Sequence, residues 1–361
     1  MFVRDKNMVV AKEVRNLREG DILVNLPMKV RSKFIPGIGT THKVRAHEFD
    51  ELRNPLYIDL YEKKYTEAIE GYDFAVSHRG ILSQYEIAGR VGVTQSTITN
   101  WQLGYSKPQF MSTNLIEAGT PKRIEVTPEF LHLLGYYTAE GRTQKYYTQF
   151  VFGLHEKELH KHCIQLIEDI FKLSPHTEEV KETNSFRITI SSPIISECFE
   201  KQCGTGSRNK HIPEMLWDLP EEYFLAYLKG YSDGDGYTTQ ERKLSMTSVS
   251  RQLIRELSWL CGMHGIQVGV RKTKSPARVI REGGKMTPLT IAWNLIIGKT
   301  SNPFIDNGLS PKQIKKPIIK KIEKEKYDGY VYDLCGCDNE AFFGGEKPLL
   351  LHNSRVRDLF K

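Results

Sequence analysis

Two stretches, LLGYYTAEG at 133–141 and LKGYSDGDG at 228–236, constrain this chain more than any other feature. Each closes an apolar run with an acid followed directly by glycine, the second after Tyr223-Phe224-Leu225-Ala226-Tyr227-Leu228. Glu140 follows Gly135 just as Asp235 follows Gly230, so the acids are in register about 95 positions apart. Helix-start signals precede both: Thr127-Pro128-Glu129 sets a capping side chain before a first-turn proline, and Pro220-Glu221-Glu222 opens the second run. Leu134, Gly135 and Thr138 on one helix, and Leu228 and Gly230 on the other, make patches where two backbones can approach closely. Helices packed through these patches present Glu140 and Asp235 at one seam. A carboxylate at a helix C-terminus opposes the helix dipole, so neither acid is there for helix stability. Two close carboxylates also repel unless cations neutralise them. Mg2+, an oxygen-seeking ion, answers that need, with Mn2+ as a substitute. The plainer account makes both ordinary helix-end acids beside glycine. One copy would favour it; two in register do not.

The repetition extends beyond the helices. After Glu140-Gly141 come the strand-like YYTQFVFGL, the helical pattern EKELHKHCIQLIEDIFKL and the strand SFRITISS. After Asp235-Gly236 come KLSMTSVS, the helical RQLIRELSWLCGMHG, then IQVGVRK and LTIAWNLI. A unit of α-β-β-α type thus occurs twice, which is the mark of internal duplication. A chain of 361 residues, 39% hydrophobic, has room for two or three domains. It holds no run of apolar residues long enough for a membrane span and no signal-peptide pattern, and it reads as cytoplasmic. Cys163, Cys198, Cys203, Cys261, Cys335 and Cys337 are too scattered for a disulfide framework, and Cys335/Cys337 lacks the second pair of a zinc site.

The formal charge of +7 is gathered in places: RKTKSPARVIR at 271–281, SRNKH at 207–211 and KQIKKPIIKKIEKEK at 312–326. These are either solvated faces or surfaces that neutralise phosphates, and Arg271, Lys272 and Lys274 are the DNA-contact candidates among them. In SQYEIAGRVGVTQSTITNW (83–101), Ile87, Ala88, Val91, Val93, Ile98 and Trp101 fall at the apolar positions of two short helices joined at Gly92. Thr94 can cap the second, leaving Gln95, Ser96, Thr97, Thr99 and Asn100 mainly on its outer side. The segment resembles a repressor-type helix-turn-helix, whose second helix enters the major groove. Gln95, Ser96 and Thr97 are then candidates for DNA contact; the alternative is a structural helical hairpin.

LLGYYTAEG and LKGYSDGDG resemble the paired signature of the LAGLIDADG homing endonucleases in single-chain, two-copy form. KHIPEMLWDLPEEYFLAYLKGYSDGDG resembles the longer block of intein-borne members, and the likeness covers about 125–300. It implies two αββαββα units related by a pseudo-two-fold axis, with saddle-shaped sheets over the major groove and Mg2+ held at the ends of the motif helices. The family's catalytic acids carry over to Glu140 and Asp235, its metal positions to these and to Gly141 and Gly236, and its supporting lysine to Lys210. A second lysine is unassigned between Lys272 and Lys274.

VYDLCGCDNEAFFGG (331–345) and LLLHNS (349–354) resemble the C-terminal splicing blocks of inteins. There Asn353 would cyclise with help from His352, and Ser354 would be the first residue of the host protein, or extein. Two departures are visible. MFVRDKNMVVAKEVRNLREGDILVNLP resembles only the piece immediately after the first splicing blocks, and Glu340 stands where many members have His.

The expectation is therefore an α+β chain in five parts. A mostly-β partial intein (Hint-type) domain is formed by both chain ends, 1–35 and 325–353. Residues 36–120 are a linker and DNA-recognition region containing the helix-turn-helix. The endonuclease domain spans 121–310, in halves of about 121–205 and 206–310, and 354–361 is extein. The implied activity is metal-dependent cleavage of double-stranded DNA at a long site by a monomer, with splicing incomplete from this chain alone. Two other readings stand beside it: a sequence-specific DNA-binding protein with an inactive nuclease, and part of a splicing element completed by another chain.

Overall fold

A computed structural model of the chain describes residues 1–5, 8–25, 55–108, 111, 120–275, 278–279, 286–287, 290–305, 317–324, 326–329 and 341–352. Two compact units are present. One holds Met1–Asp50, Leu216–Glu221 and Gly236–Lys361, the other Glu51–Met215 and Glu222–Asp235. The second motif helix therefore clusters with the first half of the repeat. At the N-terminus, β1 (Phe2–Asp5), β2 (Met8–Ala11) and β3 (Ile22–Leu23) form an antiparallel sheet in the order β2-β1-β3.

The second unit begins with β4 (Tyr57–Asp59), which pairs with β5 (Arg123–Glu125). Between them the chain makes three helices: α1 (Lys63–Ser77), α2 (Gln84–Val91) and α3 (Gln95–Gln102). The expected pair of helices is joined at Gly92, whose φ of 76° suits glycine. Ser83 and Glu86 form a reciprocal capping box on α2, and Thr94 accepts from the Thr97 N–H to cap α3. Ala75, Ile87, Ala88, Ile98 and Trp101 form their shared core. Helix α1, for which the sequence held no motif, closes that core from a third side.

The rest of this unit follows the expected αββαββα order: α4 (Pro128–Glu140), β6 (Gly141–Gln144), β7 (Tyr147–Gly153), α5 (Lys157–Phe171), β8 (His176–Val180), β9 (Ser185–Ile190) and α6 (Pro193–Cys203). Thr127 caps α4 ahead of Pro128, and Ser192 caps α6 ahead of Pro193. The antiparallel sheet runs β6-β7-β9-β8. Phe150, Phe152, Ile188 and Ile190 bury one face; Arg142, Gln149, Thr189 and His176 stand in register across the other. Arg142 donates to Gln149 Oε1 (3.0 Å from Nε), and Gln149 Nε2 donates to Thr189 Oγ1 at 3.0 Å. Tyr65 donates to Glu197 Oε2 at 2.5 Å and Lys201 pairs with Glu62 at 3.2 Å, tying the start of α1 to α6. The second motif helix, α7 (Glu221–Asp235), ends at Gly236.

After α7 the elements repeat. They are β10 (Gly236–Thr238), β11 (Leu244–Ser248), α8 (Arg251–Met263), β12 (Val268–Ser275), the short pair β13 (Arg278–Val279) and β14 (Met286–Thr287), and β15 (Thr290–Ile297). Their sheet runs β10-β11-β15-β12, the same order of first, second, fourth and third principal strand as before. Leu244, Met246, Leu295 and Ile297 line its buried face. Beyond β15 comes a 3-10 turn, Lys299–Ser301, and residues 306–316, where the expected closing helix would run, lie outside the described residues. The C-terminal hairpin, β16 (Ala341–Gly344) with β17 (Leu349–His352), joins the N-terminal strands: Leu350 N–H donates to Val24 O at 2.8 Å, and Phe2, Val24 and Leu350 share a core. Ile319 N–H donates to Asp21 O at 2.9 Å, adding a third segment. The two chain ends thus build one β-rich body.

Candidate active site

Helices α4 and α7 touch backbone to backbone. A Cβ at Gly135 would lie 2.3 Å from Tyr227 O, and one at Gly230 would lie 2.1 Å from His132 O. Both distances forbid any side chain, so the close approach expected at these glycines is present. His132 and Tyr227 are themselves related by the register of the repeat, as are Thr138 and Asp233. Each glycine therefore meets the other helix at the equivalent carbonyl, the reciprocity of a two-fold contact. The side chains follow it with different chemistry. Tyr227 donates to Thr138 Oγ1 at 2.9 Å on one side; on the other, His132 Nε2 and Asp233 Oδ2 stand 3.6 Å apart, with Lys229 also paired to Asp233.

The acids emerge at the C-terminal ends of this pair. Gly234 permits the approach, since a Cβ there would lie 2.6 Å from Ala139 Cβ and 2.9 Å from Glu140 Cγ. Glu140 is pushed up to about 7 by loss of solvent, then by the charges of Asp235 and Glu156. Asp235 is also raised to about 7 by desolvation, opposed by Lys210. Protein atoms crowd Asp235 on most sides while solvent reaches its outer edge, and it is the open edge that limits the energy involved. Gly141 and Gly236 follow in extended conformation. Gly141 admits no side chain, for its Cβ would lie 2.3 Å from the Tyr137 ring.

This donor set fits a divalent cation. Two carboxylates, each held against its own ionisation, gain when a cation takes the place of a proton. Among the described residues no cluster of three His, Cys, Asp or Glu side chains could enclose a metal.

Lys210 departs from the sequence reading of SRNKH as a surface basic cluster. It is 4% exposed, donates to Tyr137 O at 2.7 Å, and is lowered to about 7 by desolvation. Arg208 stays exposed. Strand alternation separates the other basic candidates. Arg271 stands in register with Asn294 on the face opposite the core, whereas Lys272 and Lys274 pair with Trp293 and Ile291 on the other face. All three are exposed. On α3, Gln95 and Ser96 are exposed and Thr97 is half-buried. The hydroxyls of Ser96 and Thr97 both lie within hydrogen-bonding distance of Thr94 Oγ1, at 3.0 and 2.8 Å, so the cap already engages them. His352 ends β17 with its ring 5.5 Å from that of Phe2; Asn353 and Ser354 lie outside the described residues, as does Glu340. Sequence reasoning missed Tyr137, although it sits just ahead of the acid in the first motif.

Residues 222–291 match the family model described as a LAGLIDADG-like domain. The chain is 27% identical to a DNA polymerase of Thermococcus sp. (strain GE8), over 64% of this chain and 16% of the polymerase. It is 26% identical to the replication factor C small subunit of Methanocaldococcus jannaschii, over 63% of this chain and 16% of that protein. It thus spans about a sixth of the length of either relative. Among solved structures it is similar to the homing endonuclease I-DmoI in complex with DNA and Ca, at 14% identity and a TM-score of 0.33, covering 48% of this chain and 84% of that one. The chain therefore carries a LAGLIDADG-like domain, and the matched residues open on α7.

Proposed function

We propose that this chain is a site-specific endonuclease that hydrolyses both strands of a DNA duplex. The observation that carries the reading is the reciprocal contact of α4 and α7, which sets two destabilised carboxylates at one seam. Glu140 and Asp235 would hold the divalent ions. Bound there, Mg2+ would supply charge neutralisation at phosphorus and a more acidic water. Lys210, buried and lowered to about 7 by desolvation, draws the Asp235 carboxyl down when it carries its charge. The open faces of the two sheets, with Arg142, Gln149 and Thr189 on one and Thr247, Asn294 and Arg271 on the other, supply the donors and acceptors that read base edges. Because both motif helices belong to one chain, a monomer suffices. Gln95 on α3 is the best-placed contact outside the sheets.

A second proposal concerns context. A DNA polymerase and a replication factor C small subunit, unlike one another by name, each match this chain over about a sixth of their own length. A segment shared in that way is what an intervening, self-excising element would leave, and the β-rich body built from both chain ends gives it a frame. In this reading Asn353 cyclises with help from His352, breaking its bond to Ser354, the first residue of the host protein. The nuclease is tested by incubating the protein with randomised duplex DNA and Mg2+ and sequencing the ends. One long preferred site cut on both strands is expected; uncut or indiscriminately cut DNA would refute the reading.

A further inference from the structure

Tyr137 is fully buried beside the first catalytic acid, and the proposed chemistry does not use it. Its hydroxyl donates to Gly204 O at 2.9 Å and lies 2.9 Å from Thr143 Oγ1, so the phenol is fastened at its far end. Its ring lies beneath Lys210 Nζ, 3.3 Å from the centroid. Its carbonyl accepts from both Lys210 Nζ, at 2.7 Å, and the Gly141 N–H. One residue thus contacts the ammonium twice, by a carbonyl dipole and by an aromatic face, and both attract the charged form. Those contacts offset part of the desolvation that a lysine at 4% exposure suffers. The ammonium in turn caps the last turn of α4, where a cation is favoured against the dipole. The Lys210 loop folds back onto the same residue: Gly204, at φ 70°, would place a Cβ 2.2 Å from Asn209 O, and Thr205 Oγ1 donates to Thr143 O at 3.2 Å. At the equivalent position of α7 stands Ser232, which donates to Lys229 O and offers no ring.

We infer that Tyr137 is a positioning residue for the Lys210 ammonium, holding it at the C-terminal end of α4 beside the paired acids. The inference rests on the nuclease reading, in which Lys210 acts in cleavage. Single-turnover cleavage, DNA affinity without metal, and labelling of Lys210 by acetic anhydride read by peptide mass together test it. Tyr137→Met should slow cleavage about tenfold at unchanged DNA affinity and raise Lys210 labelling severalfold. Tyr137→Phe, which keeps the ring, should remain within about threefold of the natural protein. In a Lys210→Met background, Tyr137→Met should add less than twofold, because its effect runs through the lysine. A full tenfold further loss in that background would overturn the inference, as would unchanged labelling. Should Tyr137→Met fail to fold, replacing Tyr137 by phenylalanine and by trifluorophenylalanine compares rings of one shape. Slower cleavage with the fluorinated ring is expected, and equal rates would count against the aromatic contact. If Lys210→Met alone leaves cleavage intact, Lys210 has no part in cleavage and the inference fails; if the natural protein itself cuts no site, it is the nuclease reading that fails.

Discussion

If burial disfavours the ionised forms of Glu140 and Asp235, those charges should destabilise the metal-free protein above neutral pH, and removing them should stabilise it. Desolvation raises Asp235 from 3.8 to about 7 and Glu140 from 4.5 to about 7. Such a shift would amount to at most about 4 kcal/mol for a fully shielded group. Solvent reaches both, Asp235 most openly, and screening leaves about 1 kcal/mol each. The sign comes from linkage. A carboxylate raised on folding binds more protons in the folded state, so its contribution to stability falls as pH rises from about 4 to about 7 and is flat above. Asp235→Asn should therefore melt about 2–4 °C above the natural protein in EDTA at pH 8, with the gain shrinking toward pH 4. Saturating Mg2+ should narrow or reverse the difference, since only the natural protein binds the ion fully. Thermal unfolding across pH, with and without metal, gives the answer. A variant less stable than the natural protein in EDTA at pH 8 would show the acid to be a structural helix-end residue.

Gly135→Ala should lose about 3 kcal/mol or more, because the new methyl meets the Tyr227 carbonyl at 2.3 Å with no flexible side chain to yield; chemical denaturation measures it. Gln95→Ala should weaken DNA binding by about 1–3 kcal/mol if α3 reads bases, and an unchanged footprint would make α1–α3 purely structural. For the chain ends, purified protein should stay mostly full length, with at most slow release of SRVRDLFK, and Asn353→Ala should stop that release in intact mass spectra.

The motif helices were legible because each clue had a single physical reading. Proline and threonine marked the helix start, a glycine marked the close contact, and an acid opposing the dipole marked function. Their common register also held the reciprocal contact, since His132 and Tyr227, like Thr138 and Asp233, are repeat partners in the sequence. Helix α1 was not legible: Ala75 is its single fully buried residue, so no apolar stripe announces it. Strand β8, with four exposed positions of five, offers no alternation either. The burial of Lys210 depends on the turn at Gly204 and on a tyrosine distant in sequence, and a basic cluster read along the chain cannot reveal it. Lys272 and Lys274 were grouped with Arg271 by proximity, whereas strand alternation divides them.

The most direct test of the central claim is double-strand cleavage by Glu140→Gln and Asp235→Asn, each measured beside its affinity for the same duplex. Both variants should bind DNA within a few fold of the natural protein and produce no linear product with Mg2+ or Mn2+. Cutting of both strands at the natural rate by either variant would contradict the account, because the two carboxylates would then not be where the chemistry occurs.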